Sequence, residues 1–118
     1  MANTHATAAV LDALGDPTRR RILEVVRDGA KPVGEIARHL PVSRPAVSQH
    51  LRVLREAGLV RDRRDGTRHL YAVDPDGLAV LRAYLETFWD TALTAFADAA
   101  EAEHRQERRR AHREGGSS

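Results

Sequence analysis

The stretch SRPAVSQHLRVLREAGLV, residues 43–60, sets Ser48, Gln49 and Arg52 along one side of a helix-length segment, with Arg44 near its start. Glutamine pairs bidentately with adenine and arginine with guanine, and serine both donates and accepts. The chemistry on offer is hydrogen bonding to base edges. Downstream, Arg63, Arg64 and Arg68 surround Asp65-Gly66, which suits the phosphate backbone or a narrow minor groove. Other chemistries lack their parts. There is no cysteine, so thiolate metal sites, disulfides and cysteine nucleophiles are excluded together. With no carboxylate pair beside a histidine and no glycine-rich phosphate loop, an enzyme is not expected.

The elements that must position these groups follow from caps and periodicity. Ala6 to Leu14 reads as a short helix with Val10, Leu11 and Leu14 on one side; Gly15 ends it. Asp16-Pro17 starts a second helix by the cap-plus-proline rule, running to about Asp28-Gly29. It carries Ile22, Leu23 and Val26 inward and Arg19, Arg20 and Arg27 mostly outward. Pro32 opens a third, short helix with Val33, Ile36, Ala37 and Leu40 at the helical period, stopped by Pro41. Ser43 caps the fourth, and Pro45 lies in its first turn, where no intrahelical donor is lost. Val47, Leu51 and Leu54 form its apolar stripe, and Gly58 ends it. Leu59 to Arg64 and Thr67 to Val73 read as two strands joined by a type I′ turn at Asp65-Gly66. Asp74-Pro75 begins a long last helix whose Leu78, Leu81, Leu85, Phe88, Ala92, Ala95 and Ala99 recur by threes and fours. From Glu101 the chain is charge-dense, an extension that frays and ends in a disordered GGSS tip. The expected division is residues 1–100 as one DNA-binding and dimerisation domain and 101–118 as a charged extension and tail.

At 118 residues, with 42% hydrophobic and 31% charged residues, the chain fits one globular domain. No run approaches a membrane span, and the N-terminus lacks a basic region ahead of an apolar core. A cytoplasmic protein is expected. The overall charge of +2 conceals a division: residues 43–73 hold seven arginines against three acids, whereas residues 74–101 hold Arg82 against six acids. The basic middle suits a polyanion and the acidic, aromatic stretch something else.

Two short helices around a tight turn, followed by a basic hairpin, is the order of a winged helix-turn-helix, whose second helix enters the major groove. The segments LGDPTRRRILEVV, VGEIARHLPVSRPAVSQHLRVLREAGLV and RRDGTRHLYAV resemble the ArsR family of bacterial transcription repressors over about residues 8–100. The chain departs from the generic pattern at Pro41, which stands where a turn glycine is common. The resemblance implies a mainly α fold with a small β-hairpin (α+β): five helices, a two-stranded wing, and a homodimer through the first and last helices. It places Ser43, Arg44, Ser48, Gln49 and His50 near DNA on the recognition helix and Arg64 and Arg68 on the wing. Pro45, Arg52 and Arg63 complete the expected DNA-binding set, although His50 borders the apolar stripe and suits packing or capping as well. Many relatives sense metals. Here the segment GEIARHL lacks the thiolate pair of one family site. Of a second, D-x-H-x10-H-x-x-E, only His104 and Glu107 are present, with Thr91 and Leu93 in place of the first two ligands. No metal and no cofactor are expected.

A helix of about 25 residues spans nearly 40 Å, long against the roughly 13 Å radius of gyration of so small a domain. Part of its apolar face must cover another chain. The expected interface is Val10, Leu14, Leu81, Leu85, Phe88, Trp89, Ala92 and Phe96, in a two-fold dimer whose recognition helices read half-sites about 34 Å apart. The arginine-rich tail (Arg108, Arg109, Arg110, Arg113) reads as solvated and partly salt-bridged, with nonspecific DNA affinity as the alternative. The sequence thus points to a homodimeric regulator, a repressor by resemblance, on a pseudo-palindromic duplex operator. The alternatives are a sensor of the same fold that answers a metal or an unidentified small-molecule effector, and a dimerisation module without DNA binding.

Overall fold

The computed structural model describes residues 4–115 and divides into two compact units, Met1–Ala83 and Tyr84–Ser118. The elements are α1 (Thr4–Leu14), α2 (Pro17–Val26), β1 (Lys31–Pro32), α3 (Val33–Arg38), α4 (Arg44–Glu56), β2 (Val60–Asp65), β3 (Arg68–Val73) and α5 (Pro75–Gly115). The five helices and the hairpin match expectation. The sheet gains a third strand: β1 pairs antiparallel with β3, giving the order β1-β3-β2. Two residues, one of them proline, carry no periodicity, so β1 had no sequence signal.

The first unit is built around ten residues exposed by 1% or less: Val10 and Ala13 of α1, Ile22 and Val26 of α2, Ile36 of α3, Val47, Leu51 and Leu54 of α4, then Leu59 and Val60. The Asp16 carboxylate accepts from the Thr18 and Arg19 amides at 2.7 and 3.2 Å, capping α2. Burial pushes this carboxyl up, but those two amides and the Arg19 guanidinium outweigh it and hold it below its usual range. The arginines after the cap do not point idly outward. Arg19 donates to the carbonyls of Ala13 at 2.6 Å and Asp12 at 3.1 Å, and Arg20 to that of Leu14 at 2.7 Å. They satisfy the open end of α1, where a cation also answers the helix dipole.

The chain leaves α4 through a Schellman turn: Leu59 N–H donates to Leu54 and Gly58 N–H to Arg55, with Gly58 at φ +79°. Leu59 in turn accepts from Asp74 N–H, and the Asp74 carboxylate accepts from Asp76 N–H at 2.9 Å, starting α5. Gly77, in that first turn, is buried. A Cβ there would lie 2.3 Å from the Gly58 carbonyl oxygen.

The second unit, as far as it is described, is the continuation of α5. Every residue from 85 to 114 is exposed, including Leu85, Phe88, Trp89, Leu93 and Phe96 at 49–74%. Tyr84 packs edge-on against Phe88 at 5.1 Å between centroids. The helix passes Glu101 without a break and runs to Gly115; the rest of the expected disordered tip lies outside the described residues. Among the described residues no helix is long and apolar enough to cross a membrane.

Candidate nucleic-acid interface

α4 is amphipathic in a way that fixes its orientation. Val47, Leu51 and Leu54 are wholly buried, while Ser43, Arg44, Pro45, Ser48, Gln49 and Arg52 are all exposed. Ser43 caps the helix, its hydroxyl accepting from Ala46 N–H at 3.3 Å. Arg44 lies over Gly34 of α3, where an added Cβ would meet its guanidinium at 3.7 Å. The turn from α3 to α4 contains no residue of positive φ. Pro41 therefore replaces the usual turn glycine without strain: His39 closes α3 in right-handed geometry, its N–H reaching Ile36.

Two residues of the expected reading set are not free. Arg52 is paired with Glu56, 3.2 Å away and one turn on. His50 is half-buried and within electrostatic reach of the Asp16 carboxylate at the head of α2. The sequence reading of His50 as a boundary residue describes its position better than base contact does.

The wing differs from expectation in its turn. The register runs from Val60↔Val73 to Asp65↔Arg68, so the two linking residues are Gly66 and Thr67, not Asp65 and Gly66. Only Gly66 has positive φ (+64°). Type I′ needs positive φ at both central positions, and a threonine resists it; a single left-handed glycine in the first position is the type II′ pattern. Alternation then separates the arginines. Arg61, Arg63 and Arg68 share one face of the hairpin and Arg64 the other. All four are exposed, and none has an ion-pair partner among the described residues. Arg61, on the same face as Arg63 and Arg68, was not in the expected set, because nothing local distinguishes it from the other arginines nearby.

A polar strut ties wing to recognition helix. Arg55, near the end of α4, donates to Asp62 of β2 at 3.4 Å. Asp62 also bonds the His69 Nε2, and His69 Nδ1 meets the Tyr71 hydroxyl at 3.4 Å, the two rings 4.7 Å apart. The His69 hydrogen bond, opposed by partial burial and helped by Arg55, holds the Asp62 carboxyl below its ordinary range. Burial, then the Asp62 charge, pushes the Tyr71 hydroxyl up. Arg55, Asp62 and His69 lie seven residues apart on three different elements, a spacing that no local motif announces.

Of the expected interface residues, Leu85, Phe88, Trp89, Ala92 and Phe96 are exposed on α5, and Leu93 joins them. Val10 does not: at 1% exposure it belongs to the chain's own core, and α1 offers Leu11 at 38% in its place. Leu14 and Leu81 are half-buried against that core.

A helix-turn-helix with one face in the core and one exposed polar edge, followed by an arginine-bearing hairpin, defines a winged helix-turn-helix DNA-binding protein. The pattern of the bacterial regulatory proteins of the arsR family matches residues 16–62. The HTH-type transcriptional regulator Rv2034 of Mycobacterium tuberculosis is 57% identical over 91 residues, 77% of this chain and 85% of that protein. The chain belongs to the ArsR family, as a transcriptional regulator. The transcriptional repressor SdpR of Bacillus subtilis is 38% identical over 65 residues, 55% of this chain and 72% of that one. The homodimeric winged helix-turn-helix DNA-binding domain of Mb0332 from Mycobacterium bovis superposes with a TM-score of 0.60 at 31% identity, over 73% of this chain and 80% of its own. The donor set does not fit the metal sites of sensing relatives. There is no cysteine, and among the described residues no three histidines, aspartates or glutamates gather.

Proposed function

We propose that the chain is a cytoplasmic homodimeric repressor that seats one α4 from each copy in the major groove of a pseudo-palindromic operator. Ser48, Gln49 and Arg52 read base edges, Arg44 and the α4 N-terminus hold phosphate, and Arg63, Arg64 and Arg68 grip the flanking backbone. Residues 1–100 carry DNA binding and dimerisation, and residues 101–118 form a charged extension.

The observation that carries the reading is the division of α4: one side wholly buried, the other a row of polar side chains of which Ser48 and Gln49 bond nothing among the described residues. The exposed stripe from Leu85 to Phe96 supports dimerisation, since apolar surface of that extent on a single helix is costly to leave in water. The homodimer seen for the Mycobacterium bovis relative agrees.

The test is selection of bound fragments from random duplex DNA. Two half-sites about one helical turn apart are expected. Gln49→Ala then loses about 1–3 kcal/mol of discrimination at one base position, whereas Arg64→Ala weakens every sequence alike and flattens the salt dependence. Selected sites without two-fold symmetry, or unaltered binding by both variants, would refute this docking.

A further inference from the structure

Beyond the winged helix, the charges of the last turns of α5 are sorted by face. Arg105, Arg109 and Arg113 follow one another at intervals of four, with Arg108 and His112 beside them. At 3.6 residues per turn these five form one face. Glu103, Glu107 and Glu114 fall on the opposite side, in line with Phe96, and Arg110 lies near them, while Glu101 shares the basic side one turn before Arg105. All these side chains are exposed. The tail is solvated, as expected, and none of Arg105, Arg108, Arg109, Arg110 and Arg113 has an ion-pair partner among the described residues. Like charges at i, i+4 weaken a helix, and here they are stacked over two turns. Such a face gains most from a polyanion that neutralises all its members together.

We propose that the face Arg105, Arg108, Arg109, His112, Arg113 is a second, sequence-independent contact to the backbone of duplex DNA. The inference rests on the DNA-binding reading of the first unit and adds to it. It assigns the tail a share of affinity and none of the specificity.

The experiment compares the full chain with a variant carrying Arg105, Arg108, Arg109 and Arg113 all changed to Gln, on the selected duplex and on a scrambled duplex, over a salt series. Each lost phosphate contact flattens the slope of log K against log salt by about 0.9. With at least one contact per copy, a slope shallower by about 1.8 or more is expected for the dimer. The ratio of affinities for the two duplexes stays as in the wild type. Changing the same four residues to Lys restores the slope, and Arg110→Gln alone leaves it unchanged. Equal slopes for wild type and the four-glutamine variant overturn the inference while leaving the winged-helix reading intact. Loss of slope together with loss of the dimer in sedimentation also overturns it, and assigns the arginines to the acidic stretch 74–101 of the partner copy. A wild type that binds no duplex overturns both readings.

Discussion

Replacing Gly77 with alanine is the sharpest test of how α5 is seated in the first unit. Gly77 lies in the first turn of α5 without positive φ, so alanine fits its backbone. On helix propensity alone the change would stabilise by about 0.5–1 kcal/mol. Space decides otherwise. The new Cβ would stand 2.3 Å from the Gly58 carbonyl oxygen, 2.7 Å from its carbon and 3.0 Å from Leu59 Cα. All three are main-chain atoms, and ordinary contact needs about 1 Å more. Gly58 is held by its left-handed φ and its bond to Arg55, Leu59 by bonds from both sides and full burial. Forcing such a fit costs typically 1–3 kcal/mol. The strain exceeds the propensity gain, and a net loss of about 1–2 kcal/mol is expected, lowering Tm by roughly 4–10 °C for a chain of this size. Thermal unfolding followed by far-UV circular dichroism measures it, at one protein concentration because any association of copies would shift Tm. Gly29→Ala is the control: nothing lies within 4 Å of its added Cβ, and it should be neutral or slightly stabilising. A Gly77→Ala protein as stable as the wild type would show that the approach of α5 to the Gly58 turn is not close-packed.

Other expectations follow from contacts already described. Arg19→Ala strips two carbonyls of their charged donor and should cost about 1–2 kcal/mol in urea unfolding, whereas Arg21→Ala, which breaks an exposed pair with Glu24, should cost under about 0.5; equal losses would deny the clamp. Glu56→Gln releases Arg52 from its pair and removes a negative charge from α4, so duplex affinity should rise by roughly 2–5-fold; weaker binding would mean that the pair orients Arg52 for DNA. Asp62 is held below the ordinary 3.8 in the folded chain, so its stabilisation is full above that value and lost as pH falls through the lowered one. Asp62→Asn should therefore be less stable by about 1 kcal/mol at neutral pH and equal to the wild type in strong acid, and an unfolding difference constant from pH 7 to pH 2 would contradict this.

What could be read from the sequence was whatever is local. Asp16, Ser43 and Asp74 all cap as their types and spacing require, because a cap is settled within four residues. Val47, Leu51 and Leu54 are buried because period alone selects them. The contacts that were not legible cross from one element to another. The arginines of LGDPTRR reach back to α1, the Arg55–Asp62–His69 strut crosses from helix to hairpin, and Val10 turns toward its own core. Period places a side chain on a face but does not say which neighbour that face meets. The hairpin turn was misplaced by one residue because Asp-Gly is a strong local signal, while the register was set by pairing along the whole strand. Gly77 gave no signal, since a glycine near a helix start has many causes. In the candidate site the polar edge of α4 was legible; the pairing of Arg52 and the half-burial of His50 were not.

Gly58 and Gly66 are the only described residues of positive φ, and they bracket β2, one just before it and one just after. The helix-turn-helix corner needs no such residue. Handedness is therefore demanded at two hinges alone, and the strand between them has a set length. Substitutions along α4 or on the hairpin arms leave those hinges untouched, whereas inserting or deleting a residue between them would move the wing tip relative to the helix. Side chains on this frame can thus vary freely while the spacing of helix to wing stays fixed.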